Sequence, residues 1–185
     1  MSMARRVVSW ILFLGGALLL AEGSFSVFPF LFPTAGEIEV SAAAPDLPSN
    51  THFEPGSYLF RLSFPRHDAA FNVVEGTAKQ SLRKGPGHLQ GSSMPDKAGN
   101  LVIAGHRDTH FRMLKDVTVG DEIRIDAGGQ RYSYRIVDTR IVPPTDTSVL
   151  RSSRDRMLTL VTCYPFYFIG PAPQRFVVRA KPVER

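Results

Sequence analysis

Three side chains with complementary chemistry lie in or at the end of short apolar segments of this sequence. Cys163, the only cysteine, ends the run MLTLVTC, and His106 ends the run NLVIAGH. Arg175 lies in the later segment QRFVVRA. A thiolate is a nucleophile, an imidazole exchanges a proton near neutral pH, and a guanidinium donates hydrogen bonds without losing its charge. Together they indicate acyl transfer, with Cys163 as nucleophile, His106 as proton donor and acceptor, and Arg175 stabilising the oxyanion.

The neighbouring residues predict how the two reactive side chains are presented. Pro165 follows Cys163 after one residue and stops a strand there, so the thiol lies where the strand opens into a loop. Gly105 precedes His106 and is expected to let the backbone bend. Two strand ends can be neighbours across a sheet although 57 residues (163 − 106) separate them in the chain. We expect the thiol to be partly shielded.

Each of the three residues also has an ordinary structural interpretation. A single cysteine in an exported protein can be an inert buried residue, an intermolecular link or a reactive thiol. His106 alone could be a satisfied residue at a strand end, and Arg175 alone could be a surface arginine. Their combination, rather than any one of them, favours catalysis.

The other histidines are weaker candidates. His88 and His110 could line a cleft near His106, whereas His52 and His67, in a linker and an early loop, are expected to be exposed. Asp108 could orient an imidazole or cap the turn that follows it.

No metal site is expected. His106 and His110 have the i, i+4 spacing of helical metal ligands, but Gly105 and the apolar run before it argue against a helix. Neither cysteines nor carboxylates cluster near them. A glycine-rich phosphate loop and a serine nucleophile elbow are also missing from the sequence.

The N-terminal segment predicts export. Arg5 and Arg6 precede an apolar stretch at residues 7–21, which suits a signal-peptide core or part of a membrane span. A cleaved signal would use the small residues 41–44, and an uncleaved anchor would continue through residues 22–32. We favour the anchor, because residues 22–33 are mostly bulky.

This interpretation divides the chain into three parts. Residues 1–33 form the membrane segment, residues 34–56 a linker rich in alanine and proline, and residues 57–185 one catalytic domain. The arginines hold the short N-terminus inside, so the domain faces the periplasm or exterior.

The segment from residue 57 onward predicts an all-β domain. Short alternating or apolar runs predict strands, and glycines 128 and 129 predict a hairpin turn. A short helix is expected between Thr77 and Gly85, loop over residues 87–100, and one or two helical turns over 109–117. A total of about eight strands indicates a closed barrel or a sandwich. The predicted strands are 57–64, 70–76, 100–106, 121–126, 130–142, 157–163 and 174–180.

The chain of 185 residues carries a formal net charge of +5. Its arginines are scattered and are not interleaved with aromatic residues, so no nucleic-acid partner is expected. The positive charge fits better beside an anionic membrane surface.

Three motifs together resemble the sortases, which are membrane-anchored cysteine transpeptidases. These are TLVTC at residues 159–163, AGH at residues 104–106, and Arg175, twelve residues after Cys163. The stretch GPGHLQGSSMPDKAGN is similar to the loop before the histidine strand of sortases. The resemblance spans residues 57–180 and is strongest to class GN of Gram-negative bacteria, with class D next.

This resemblance implies a closed eight-stranded β-barrel. It implies that Cys163 attacks the Thr–Gly carbonyl of a Leu-Pro-x-Thr-Gly-like signal at the C-terminus of a substrate protein, forming a thioacyl intermediate. His106 would move protons, and Arg175 would bind the signal and stabilise the oxyanion. It implies no organic cofactor and a single-pass location in the inner membrane. It also implies an amine acceptor, whose identity the resemblance does not specify.

Two alternatives use the same fold. An exported cysteine peptidase would release the acyl group to water, and a catalytically inactive periplasmic binding module would retain the barrel without its chemistry.

Overall fold

A computed structural model describes residues 53–168 and 170–183 of the chain. The predicted membrane segment 1–33 and nearly all of the predicted linker 34–56 lie outside the described residues, so their assignment stays a prediction. Within the part that the structure describes, no helix is long and apolar enough to cross a membrane.

Eight strands dominate the described chain. They are β1 (Tyr58–Phe64), β2 (Ala69–Glu75), β3 (Gly87–His88), β4 (Asn100–Gly105), β5 (Glu122–Ala127), β6 (Gln130–Val142), β7 (Met157–Tyr164) and β8 (Gln174–Pro182). The helical segments are short: α1 (Lys79–Leu82) and the 3₁₀ turns Pro65–His67, Arg112–Asp116 and Thr147–Leu150.

The strands close into one barrel in the order β1-β2-β3-β4-β7-β8-β6-β5. Neighbouring strands are antiparallel except for the parallel pairs β2–β3 and β4–β7. Closure removes the exposed edges that an open sheet would present. The predicted all-β, eight-stranded closed barrel is therefore confirmed, and the sandwich is not formed.

The barrel interior is filled by alternate residues of the strands, as the two-residue repeat of a strand requires. Leu101 and Ile103 of β4 and Leu158 and Leu160 of β7 belong to this core and are essentially inaccessible to solvent. The intervening residues of both strands consequently lie on the outer face of the barrel.

Sequence patterns predicted the long elements better than the short ones. Strand β6 has the predicted bounds, and Gly128 and Gly129, with φ of 53° and 70°, form the predicted turn before it. The predicted loop 87–100 instead contains β3, whose two residues are too few to show an alternating pattern. The predicted helix after Thr77 is a single turn that begins after Ala78.

Candidate active site

Strand register brings the three predicted catalytic residues to one place. Gly105 and Thr162 are partners in the parallel pair β4–β7, and His106 and Cys163 are the next residue of each strand path. Cys163 is in turn the partner of Arg175 in the antiparallel pair β7–β8. The three therefore form one row across the end of β4, β7 and β8.

The row lies on the outer face of the barrel, two residues beyond an apolar row. Ala104 pairs with Val161, and Val161 pairs with Val177, so these three residues lie side by side on the same face. Cys163 and Arg175 are half-buried, as is His106. The predicted partial shielding of the thiol is confirmed. Within the apolar row, Val177 is fully buried, so an extended peptide lying across this surface would meet the half-buried Ala104 and Val161.

A buried hydrogen bond fixes the register of the histidine and cysteine strands. The Thr162 hydroxyl donates to the carbonyl oxygen of Gly105 at 2.7 Å, and Thr162 is almost completely buried. Because these two residues immediately precede Cys163 and His106, the bond holds the two reactive strand ends together.

Gly105 is required for space. A Cβ at this position would lie 2.6 Å from Cδ2 of Phe111. Phe111 is fully buried, and its backbone N–H donates to the carbonyl oxygen of His106 at 2.9 Å. Gly105 thus has a packing role that the sequence did not predict: the phenyl ring lies on the glycine and holds the turn that begins at His106.

His110 supports the same turn. Its ring packs edge-on against Phe71, with ring centroids 6.0 Å apart, and its buried Nδ1 atom has no hydrogen-bond partner within the described residues. Burial lowers the pKa of His110, His106 lowers it further, and Asp108 partly opposes the shift. His110 is therefore favoured in its neutral form beside the site.

An aromatic cluster packs where β7 ends and β8 begins. Phe166 packs against Tyr164 and Phe176, with ring centroids 5.9 Å and 5.3 Å apart. Strand β7 ends at Tyr164, directly before Pro165, and the peptide bond between them is cis. The cluster joins the ends of β7 and β8, which carry Cys163 and Arg175.

The Arg175 guanidinium is bound by the backbone of its own loop. Its Nη1 atom donates to the carbonyl oxygens of Ala172, at 3.2 Å, and Gln174, at 2.9 Å. These neutral acceptors leave the positive charge of the guanidinium uncompensated, which suits a group that binds a developing oxyanion.

Arg107, in the turn after His106, contacts the β7–β8 connection. Residues 165–168 and 170–173 of this connection are described. Its Nη2 atom donates to the carbonyl oxygens of Phe168 and Gly170, the latter at 3.2 Å. Its guanidinium also lies 5.8 Å from the centroid of the Phe168 ring. One side chain therefore connects the residue after His106 to the loop between Cys163 and Arg175.

The β6–β7 connection is attached to the start of β4. The buried Asn100 side chain donates to the carbonyl oxygens of Val149 and Arg151, both at 3.1 Å, and accepts from the Thr159 hydroxyl at 2.7 Å. This contact attaches the connection to the first residue of β4.

Two of the remaining histidines lie away from this row. His88 is buried and bonds to Glu75 and Ser92, rather than lining a cleft beside His106. His67, expected to be exposed, is 15% exposed because its ring bonds to Asp121. His52 lies outside the described residues.

Asp108 is exposed, and its side chain forms no hydrogen bond with any of the described residues. Among the described residues no group of histidine, cysteine or carboxylate side chains is arranged to hold a metal ion.

Sequence reasoning missed several residues that position the site. Thr162, Arg107 and Asn100 act through contacts between segments that are distant in the chain, whereas Phe111 acts through a turn that folds it back onto Gly105. Arg107 offered one signal, because it follows His106 directly.

Comparison with known proteins agrees with the geometry. The sequence profile of the sortase domain matches residues 62–183. The chain belongs to the sortase family. It is 39% identical to Sortase D of Bacillus subtilis over 131 residues, which cover 70% of this chain and 66% of that protein. It is 32% identical to Sortase SrtE1 of Streptomyces coelicolor over 151 residues, covering 71% of this chain and 42% of that protein.

A solved structure of a sortase D5 transpeptidase from Clostridium perfringens superimposes with a TM-score of 0.66. It is 28% identical and covers 72% of this sortase and 83% of that chain. The relationship to class D is thereby supported, whereas the preference for class GN stays a prediction. The chain spans just under two thirds of the length of the Bacillus subtilis protein and less than half of the Streptomyces coelicolor protein.

Proposed function

We propose that this sortase is a cysteine transpeptidase whose machinery is the row His106, Cys163 and Arg175. The observation that carries the proposal is the double pairing at the end of β7. Thr162 is paired with Gly105 on one side, and Cys163 is paired with Arg175 on the other. A nucleophile, a proton carrier and a permanent cation thus converge although they are distant in sequence.

The reaction begins when the Cys163 thiolate attacks the carbonyl carbon of the scissile peptide bond. The carbonyl oxygen becomes an oxyanion, which the Arg175 guanidinium stabilises. The carbon–nitrogen bond then breaks, His106 gives its proton to the leaving amine, and a thioester on Cys163 remains.

The second half reverses the proton movement. An incoming amine loses a proton to His106 and attacks the thioester carbonyl, and the thiolate of Cys163 leaves. A new amide bond joins the acyl group to the acceptor. If water enters instead, the same steps give hydrolysis, which is the peptidase alternative.

The substrate is a protein whose C-terminal part carries a Leu-Pro-x-Thr-Gly-like signal. The half-buried pair Ala104 and Val161 supports this substrate, because an extended segment with apolar residues before the scissile bond would meet these two side chains beside the thiol. The acceptor is an amine of unspecified chemistry.

The location proposed for the enzyme follows from its N-terminus. An uncleaved anchor at residues 1–33 would hold the catalytic domain on the outer side of the inner membrane, where exported substrates pass. This part of the proposal rests on the sequence pattern of Arg5, Arg6 and the apolar stretch after them.

The test is mass spectrometry of the purified protein incubated with Leu-Pro-x-Thr-Gly-type peptides and a panel of amines. We expect a thioacyl adduct on Cys163 that an amine resolves to a new amide, and no adduct in Cys163→Ala. Resolution by water alone would favour the peptidase. A Cys163 that forms no adduct and resists alkylation in the folded protein would favour the inactive binding module.

A further inference from the structure

Three hydrogen-bonded side chains lie outside the candidate active site. Nδ1 of His88 is 2.8 Å from Oε2 of Glu75, and Nε2 of His88 is 2.9 Å from the Ser92 hydroxyl. A nucleophilic group bonded to a base, with that base oriented by an acid, is the arrangement of serine hydrolase triads. It shares no residue with the row of His106, Cys163 and Arg175.

The burial of the three residues follows their roles in such a triad. Glu75 and His88 are 5% and 4% exposed, whereas Ser92 is half-buried. Ser92 also lines a cavity of about 410 Å³ together with Glu75 and His88. Its other lining residues are Phe53, Gln90, Gly91 and Met94. The hydroxyl is therefore the member of the triad that a molecule in the cavity would meet.

One tautomer of His88 gives these hydrogen bonds the proton order that catalysis needs. In this tautomer an ionised Glu75 accepts a hydrogen bond from Nδ1–H of His88, which leaves Nε2 as the acceptor for the hydroxyl hydrogen of Ser92. The backbone N–H of Val102 donates to the same hydroxyl oxygen at 3.2 Å, so the Ser92 proton remains available to His88. Nε2 also lies 3.3 Å from the carbonyl oxygen of Ser93, a longer contact.

We propose that Ser92 is a second nucleophile of this sortase, activated by His88 and Glu75, and that it accepts acyl groups from small esters. The Ser92 oxygen attacks the ester carbonyl while His88 takes the hydroxyl proton. The alcohol then leaves with that proton, and an acyl-serine remains. A water molecule that gives its proton to His88 attacks the acyl-serine, and the carboxylic acid and free Ser92 are released.

The cavity defines the class of ester. Its volume lies in the range of small-molecule sites, and Phe53 and Met94 contribute apolar walls, which favour a short uncharged acyl group. Gln90 and Gly91 line the same cavity, and neither backbone N–H group donates a hydrogen bond within the part of the chain that the structure describes. They are the donors available to an oxyanion formed at Ser92.

The experiment uses the full chain with Cys163→Ala, which removes the reactive thiol. The protein is treated with a fluorophosphonate probe and, separately, with p-nitrophenyl acetate, and the modified residue is identified by mass spectrometry. We expect adducts on Ser92, their loss in Ser92→Ala and their retention in Ser93→Ala, the neighbouring half-buried serine. Glu75→Gln should lower the labelling rate by about 100-fold, the range expected for general-base catalysis.

A second measurement remains informative if the buried Glu75 variant fails to fold. Ser92→Cys and Ser93→Cys, each in the Cys163→Ala protein, are compared for their alkylation rate with iodoacetamide. Activation by His88 should make the thiol at position 92 react at least about tenfold faster, because the base increases its thiolate fraction. Absence of a Ser92 adduct, or equal alkylation of the two thiols, would overturn the proposal and leave the three residues as a structural connection between β2, β3 and the following loop.

Discussion

Cys163 and Arg175 are direct partners in the antiparallel pairing of β7 and β8. Directly opposed residues on one face of a sheet have their Cβ atoms about 4.5–5.5 Å apart, so neither side chain needs a loop movement to approach the other. The guanidinium is meanwhile bound to the carbonyl oxygens of Ala172 and Gln174. The cation is therefore positioned by strand register and by its own loop, and no carboxylate among the described residues forms an ion pair with it.

Replacing Arg175 should slow the chemical step while leaving the reactivity of the Cys163 thiol nearly unchanged. We expect Arg175→Ala to lower kcat/KM by about 100- to 1,000-fold, the effect of losing one oxyanion donor, and Arg175→Lys to recover only part of that loss. The measurement is steady-state cleavage of a signal peptide. The alkylation rate of Cys163, followed separately, should change little.

Arg179→Ala provides the matched control for this prediction. Arg179 is on the same face of β8, four residues further along, where its guanidinium contacts the sulfur of Met157. Its removal should leave kcat/KM within about twofold of the parent. A comparable loss in both variants would show that general positive charge, rather than the place of Arg175, supports the reaction.

The strands of this barrel could be predicted wherever they are long and alternate in polarity. Strand β6 followed its pattern from Gln130 to Val142, and the two glycines before it identified the hairpin. Strand β3 could not be predicted, because its two residues are held only by pairing with β2 on one side and β4 on the other. The alternating polarity of the strands could not distinguish a closed barrel from a sandwich, since both folds bury the same alternate residues.

The site was predicted in its residues but not in its supports. Cys163, His106 and Arg175 stood out because reactive side chains lay at the ends of apolar runs. The parallel pairing of β4 with β7 is a contact between segments 57 residues apart, and no local signal encodes it. The packing role of Gly105 was not predicted, because it depends on the turn that brings the Phe111 ring back onto the glycine.

Gly105→Ala should displace the turn that carries His106. The new Cβ would lie 2.6 Å from the Phe111 ring, which is fully buried and cannot move outward. Overpacking of this kind destabilises by about 1–3 kcal/mol, and we also expect kcat/KM to fall, because His106 is the next residue. Chemical denaturation and peptide cleavage measure the two effects.

A second substitution identifies Phe111 as the cause. Phe111→Leu makes room, so the double variant Gly105→Ala/Phe111→Leu should be destabilised by less than the sum of the two single changes. Strict additivity of the unfolding free energies would mean that Gly105 is needed for another reason.

Arg107→Ala should detach the β7–β8 connection from the turn that follows His106. The variant loses two hydrogen bonds to backbone carbonyls and a contact with the Phe168 ring. We expect about a tenfold fall in kcat/KM, equivalent to about 1.4 kcal/mol, and faster proteolysis within residues 165–173. Arg107→Lys should restore only part of the loss, because an ammonium can donate to both carbonyls but lacks the flat guanidinium that lies over the Phe168 ring.

Arg112→Ala is the control for the loop. Arg112 lies 6.0 Å from the centroid of the Tyr167 ring, and that ring is 73% exposed. An exposed cation–π contact contributes little, so kcat/KM and proteolysis should stay near the parent values. If Arg112→Ala slowed the reaction as much as Arg107→Ala, contact with the loop in general, and not the bridge from the residue after His106, would be responsible.

Asp121 should make the stability of the barrel depend on acid pH. Burial raises the pKa of its carboxyl group, but hydrogen bonds from the Thr118 backbone N–H, Arg66, His67 and the Thr118 hydroxyl outweigh burial and lower it from 3.8 to about 2. Because the pKa in the folded state is below the unfolded value, the carboxylate stabilises the fold above pH 3.8. This contribution is lost as the pH falls from 3.8 to about 2.

The expected size of this effect is roughly 2 kcal/mol, from 1.36 kcal/mol for each unit of pKa. Urea denaturation of the parent and of Asp121→Asn should therefore show a gap in unfolding free energy at pH 7 that shrinks by about that amount near pH 2. Asp116→Asn removes only an exposed ion pair with Lys115, so its small gap should vary little with pH. A gap for Asp121→Asn that stayed constant between pH 7 and pH 2 would show that the carboxylate charge does not stabilise the fold.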